Sequence, residues 1–180
     1  QMPGGGLDPR PIAPLLIGSD PILKTAALWL VDRHPDWGAE LASFLHQRLF
    51  AKETTPAQQS ELIQLLPQLA KDPLIQQLIG VGIDSDDLAA PQRLELVRLL
   101  PNAGLRPIPA PWIAPLSHAV ASSESEFAAA AVTASRAFVS DKPLPADLQS
   151  ALLNRAGNPE TPTPTRIEAL SAAATALPGL

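Results

Sequence analysis

The chain has 180 residues, about one domain's length, with 46% hydrophobic residues, 17% charged residues and a formal net charge of −5. This apolar content can fill a core, and so low a charge fraction argues against a disordered chain. The absence of cysteine excludes a disulfide framework and a thiolate metal site, and the acidic balance disfavours nucleic acid and anionic membrane, which both reward basic patches.

The apolar residues are mostly Leu and Ala, with four Phe, three Trp and no Tyr. Helix formers therefore dominate, and the β-branched and aromatic runs of strands are missing, which predicts an all-α fold. The 21 prolines fit this reading because many follow a capping residue, as in Asp20-Pro21, Thr55-Pro56, Asp72-Pro73 and Thr163-Pro164. Proline at a first helical position loses no intrahelical bond, and the Asp or Thr before it can satisfy free backbone N–H groups.

In chain order, residues 1–18 read as a linker or the remnant of a preceding domain. The opening Gln1-Met2-Pro3-Gly4-Gly5-Gly6 is neither a natural start nor a signal peptide, which suggests a fragment of a longer polypeptide. Gly4-Gly5-Gly6 lacks the Lys and the Ser or Thr of a phosphate loop. The first helical stretch follows Asp20 and stops at the turn His34-Pro35-Asp36; a second, residues 37–50, puts Leu41, Phe44, Leu45 and Leu49 on one face. Further apolar segments follow at residues 59–66, 73–82, 93–100, 111–120, 128–135, 145–156 and 166–173. Turn signals fall at Lys71-Asp72-Pro73, Asn102-Ala103-Gly104 and Asp141-Lys142-Pro143. No apolar run approaches the roughly 20 residues that span a bilayer.

Every other segment follows one template. The stretches KTAALWLV, QSELIQLL, RLELVRLL, AAAAVTAS and RIEALSAA begin at residues 24, 59, 93, 128 and 166, at intervals of 35, 34, 35 and 38. Their third, fourth and seventh residues after the lead share one helical stripe. Pro67 and Pro101 both sit eight positions after their lead residue, where the ring should kink or end the helix. Ser123 with Glu126, and Thr165 with Glu168, have the spacing of reciprocal N-terminal capping boxes. Helix, turn, helix and short link thus recur in units of about 19–54, 55–87, 88–122, 123–160 and 161–180, the last incomplete. A pair of this length cannot bury its stripe alone and needs neighbours on which to stack.

This pattern resembles the HEAT family of α-solenoid repeats over residues 19–180, at the short end of that family's period. The resemblance implies a right-handed α–α superhelix of about five stacked helix pairs. The tetratricopeptide repeat has a similar period of about 34, but its Trp, Gly-Tyr and Ala-Phe landmarks are absent here. The Leu/Ala-rich texture, with His34-Pro35-Asp36-Trp37 in the first turn, is also similar to helical-repeat regions of large secreted bacterial proteins that carry a dehydrogenase-like propeller and a haem-binding domain. That second resemblance implies an extracytoplasmic compartment. It also allows an alternative function, in which the helical region shapes or covers the active site of a larger enzyme.

The chemical inventory points away from catalysis by the chain itself. Residues 84–95 place acids at positions 1, 3 and 12 of a calcium-loop window, but Leu88, Ala89 and Pro91 occupy positions that need an oxygen ligand and flexibility. His34, His46 and His118 lack metal-ligand spacing, and no GxSxG elbow or CxxCH is present. Trp29 reads as a core or inter-repeat contact, and Trp37 and Trp112 as rings closing the ends of the core. Stacked pairs usually place their second helices on the concave side. The candidate binding surface is then Ser43, His46, Gln47, Gln76, Gln77, His118 and Gln149, neutral and amide-rich. It suits hydrogen bonding to a protein or peptide segment, or to other domains of the same chain, with no cofactor, metal or nucleic acid involved.

Overall fold

The computed structural model describes residues 8–139 and 143–174. Gly4-Gly5-Gly6, the turn residues Asp141 and Lys142, and the terminal Pro178-Gly179-Leu180 lie outside the described residues. The described part is all-helical, with no strand among its residues. Its α-helices are α1 (Pro21–Arg33), α2 (Gly38–Leu49), α3 (Pro56–Leu69), α4 (Pro73–Asp84), α5 (Ala90–Leu99), α6 (Ala110–Ala121), α7 (Ser125–Ala137), α8 (Ala146–Gly157) and α9 (Thr163–Ala174). None of them is long and apolar enough to cross a membrane. Residues Ala13–Ile17 form a 3-10 turn that buries Ala13 and Leu16 and packs on α1 and α3.

The helix starts follow from local chemistry. The carboxylate of Asp20 accepts from the N–H groups of Ile22 and Leu23, and that of Asp72 accepts from Leu74. Thr55 and Gln58 form a complete capping box on α3. The two capping boxes expected at Ser123/Glu126 and Thr165/Glu168 do not form. α7 begins behind Glu124, whose side chain makes no capping bond, and α9 begins at Thr163, so Thr165 already lies in its first turn. In both cases the Glu is drawn elsewhere: Glu126 pairs with Arg98 and Glu168 with Arg136. The two equivalent prolines differ: α5 gives way at Leu100 to a 3-10 turn containing Pro101, whereas Pro67 lies inside α3, which continues two residues further to Leu69.

Substantial contacts between helices join near neighbours in the chain. α2 touches α4, α4 touches α6 and α6 touches α8; likewise α3 touches α5, α5 touches α7 and α7 touches α9. From α2 onward, even-numbered and odd-numbered helices thus form two series, packed on each other through α2 and α3, α4 and α5, α6 and α7, and α8 and α9, while α1 packs on the 3-10 segments Ala13–Ile17 and Pro35–Trp37. The core lies between them, and the sequence template marks its position. The third residue after each lead, Ala27, Leu62, Leu96, Ala131 and Ala169, is buried, and so is the seventh, Val31, Leu66, Leu100, Ser135 and Ala173. Ser135 is tolerated there because its hydroxyl donates to the Ala131 carbonyl at 2.7 Å. Of the fourth residues, Ile63, Val97 and Val132 are buried, Leu28 is half-buried, and Leu170 on α9 is 54% exposed.

Polar side chains tie the odd-numbered series together at corresponding places. Lys24 pairs with Glu61, the Gln64 amide donates to Glu95 at 3.2 Å, and Arg98 reaches Glu126 at 2.6 Å. Thr133 and Arg136 then both donate to Glu168, at 3.1 and 2.9 Å. Gln64, Arg98 and Thr133 are each the fifth residue after their lead, and Glu61, Glu95 and Glu168 each the second. Two links, Gln64 to Glu95 and Thr133 to Glu168, therefore join the fifth residue of one unit to the second of the next, whereas Lys24 is a lead residue and Glu126 precedes its unit's lead.

The even-numbered series is held by close backbone approach. At Gly80 in α4, a β-carbon would stand 2.4 Å from the carbonyl oxygen of Pro111 in α6. That carbonyl is the acceptor that Pro115, lacking an N–H, leaves without its intrahelical donor. Gly38, at the start of α2, meets the Asp72 side chain just ahead of α4 in the same way. Trp112 is fully buried between these helices; its Nε1 donates to the Gln76 carbonyl at 2.9 Å and its ring meets Phe138 edge-on. Trp37 is buried with His34 stacked on it at 4.2 Å, so His34 is half-buried and not a free turn residue.

Trp29 departs from the sequence expectation. It is 55% exposed and lies under the Arg33 guanidinium at 4.3 Å. It is the fifth residue after its lead, a position exposed in every unit; in the other units this place holds Gln, Arg, Thr or Ser, and here alone an aromatic.

Candidate functional site

The exposed stripes of the even-numbered helices carry two clefts. The first, of about 410 Å³, lies between α2 and α4 and is lined by Ala42, Ser43, His46, Leu74, Gln77, Leu78 and Val81. Leu74 and Val81 are among the large apolar residues left exposed on the molecule. They stand seven residues, about two helical turns, apart on α4, the spacing that puts side chains on one face. The His46 ring is tilted against Phe50 at 5.0 Å, which fixes one wall. This cleft has an aliphatic floor and a rim of one hydroxyl, one imidazole and one amide.

The second cleft, of about 510 Å³, lies between α6 and α8 and is more polar. From α6 it takes Ser117 and His118, and from α8 it takes Asp147, Ser150, Asn154 and Arg155. Asp147, Ser150 and Asn154 lie at helical spacing and form one stripe with Asn158, just past the end of α8. Both oxygens of Asp84, the last residue of α4, lie 3.1 Å from His118 Nδ1. The pair ties α4 to α6 at the mouth of the cleft. Ser117 is spent locally, its hydroxyl donating to the Ile113 carbonyl at 2.8 Å.

Arg155 explains how α6 ends. Its Nε donates to the Val120 carbonyl at 2.7 Å, and Nη2 donates to the Ser122 carbonyl. The last carbonyls of a helix lack intrahelical donors, and a cation there also meets the negative end of the helix dipole. Burial lowers the Arg155 pKa from its ordinary value. Its charge is thus engaged with backbone oxygens. Asp147, in contrast, is exposed and has no ion-pair partner among the described residues.

The seven residues singled out from the sequence separate into groups. Ser43, His46 and Gln77 come together in the first cleft, and His118 lines the second. Gln47 is exposed on α2 but outside the cleft lining. Gln76 and Gln149 hold the fold together: their amides donate to the carbonyls of Ala70 at 2.9 Å and Ala173 at 3.4 Å. The sequence reading missed Asp147, Ser150 and Asn154, although their spacing of three and four residues was legible as a polar stripe. The acids of the 84–95 window diverge, with Asp84 on His118, Asp86 3.8 Å from Arg93 and Glu95 accepting from Gln64.

No protein-family model matches the chain, and no curated protein sequence matches it.

Proposed function

We propose that the chain is a HEAT-like, right-handed α–α superhelix acting as a non-catalytic protein-interaction module of a larger multidomain protein, with the even-numbered helices as its binding face. Three features support the superhelix: units about 35 residues apart in the sequence, contacts that run from each helix from α2 onward to the second one along, and polar links at equivalent template positions. Units that cannot bury their apolar stripes alone stack in this way. The observation that carries the function is the pair of open clefts on one series of helices, α2/α4 and α6/α8. Their side chains offer hydrogen bonds and aliphatic surface, the means by which an extended segment of another protein is held.

The lack of cysteine permits a direct test. A single Cys placed at His46, Gln77 or Ser150 can carry an environment-sensitive fluorophore, with Cys at Lys52 as a control on the α2–α3 connection. A pooled library of extended peptides should shift the emission at the three cleft positions and leave position 52 unchanged. Equal shifts everywhere, or none, would remove the assignment of the binding face.

A second reading is that the chain is a helical subdomain packing on the catalytic part of a larger enzyme. It is favoured by apolar surface on the two outermost helices: Ile22 on α1 is 78% exposed and Ile167 on α9 is 64% exposed. Such residues are candidates for contact with other domains of the same chain.

A further inference from the structure

The two clefts differ in chemistry, and the difference selects a ligand. In the α2/α4 cleft the exposed large side chains are Leu74 and Val81. They reward an aliphatic side chain by removing apolar surface from water. Arg155, the one Lys or Arg lining the α6/α8 cleft, is engaged by the carbonyls ending α6, while Asp147 stands exposed and unpaired among the described residues. The charge on offer to a ligand is therefore negative. Asn154 and Ser150 beside it can exchange hydrogen bonds with a peptide backbone, since a carboxamide both donates and accepts.

Between the clefts α4 and α6 pack directly on each other, with Gly80 against Pro111. A ligand occupying both spans this contact in extended form. Packed helices stand about 8–10 Å apart, so the cleft centres, two helix spacings apart, are separated by about 16–20 Å. An extended chain advances about 3.3 Å per residue, which makes the separation about six residues.

From this we infer that the even-helix face binds an extended peptide with an aliphatic residue in the α2/α4 cleft and a Lys or Arg about six positions away at Asp147. The inference rests on the binding-face reading above and adds composition and spacing to it.

The probes are labelled synthetic Gly/Ser peptides carrying one Leu and one Lys, separated by two, five or nine residues and made in both orders. Binding is read by fluorescence anisotropy on the wild type, Asp147→Asn and Leu74→Ser, all at exposed positions and checked by thermal melting. The five-residue spacing should bind tightest in one of the two orders. Replacing Lys by Gln in the peptide should weaken it about two- to fivefold on the wild type and have no further effect on Asp147→Asn. Leu74→Ser should weaken every Leu-containing probe and leave a Leu-free probe unchanged. Binding that ignores spacing, or an Asp147→Asn loss equal for Lys and Gln probes, would overturn the inference and leave the broader reading standing. Failure of every probe and of the pooled library would overturn both.

Discussion

Gly80 and the Pro111 carbonyl set the distance between α4 and α6: a β-carbon at position 80 would stand 2.4 Å from that oxygen. The obstacle is backbone, which cannot rotate away as a side-chain tip could. Gly80→Ala should therefore cost about 1–3 kcal/mol, the range for overpacking a well-filled interior. Gly157 at the end of α8 provides the control, because a β-carbon there would meet nothing within 4 Å. Gly157→Ala should be neutral or gain up to about 1 kcal/mol from reduced chain entropy. Urea unfolding of both variants decides the matter, and equal effects would remove the special status of position 80.

Arg155 should matter more for stability than any exposed cation. Arg155→Met keeps much of the stem but leaves the Val120 and Ser122 carbonyls without this donor. A loss of about 2–3 kcal/mol is expected, since hydrogen bonds to charged groups are worth roughly 1.5–3 kcal/mol. Arg155→Lys should recover only part of it, because one ammonium cannot reproduce the fork. Thermal melts of the three proteins test this order.

The tryptophans should report opposite environments. Trp112 is fully buried and donates to the Gln76 carbonyl, so Trp112→Phe should destabilise by about 1–3 kcal/mol and remove blue-shifted emission. Trp29 is mostly exposed, and Trp29→Phe should change stability by less than about 0.5 kcal/mol while removing red-shifted emission. Fluorescence spectra and unfolding curves of the pair are sufficient. A large stability loss at Trp29 would contradict its exposure.

The links along the odd-numbered helices should be weak singly and unequal. Glu126 is largely exposed, and Glu126→Gln should cost about 0.2–1 kcal/mol at low salt, an effect that should vanish near 1 M salt. Glu168 is more covered and accepts from both Thr133 and Arg136. Glu168→Gln should lie at or above the upper end of that range and persist better in salt. Unfolding at two ionic strengths separates them.

The apolar template was legible because burial acts on the same helical positions in each unit: the third and seventh residues after the lead are buried throughout, down to Ser135. Asp20, Thr55 and Asp72 were legible as caps because their bonds are local. Glu126 and Glu168 were misread for the opposite reason. Their partners, Arg98 and Arg136, lie 28 and 32 residues away, and a spacing rule cannot see them. Gln76 and Gln149 look like surface amides in sequence, yet each finds a carbonyl that only the packed fold brings near. The clefts show the same limit: His46 with Gln77, and His118 with Asp147, become neighbours only through helix contacts. Trp29 misled because it lies beside the half-buried Leu28, and a single helix does not reveal which of two adjacent faces its successor will cover.

Connectivity confined to near neighbours has a mechanical consequence. The substantial contacts join helices close in chain order, so among the described residues no clasp fixes the distance between the first and last of them. A pull on the two ends would be shared as a slight opening at every joint, and the molecule should yield like a leaf spring before any single helix is lost.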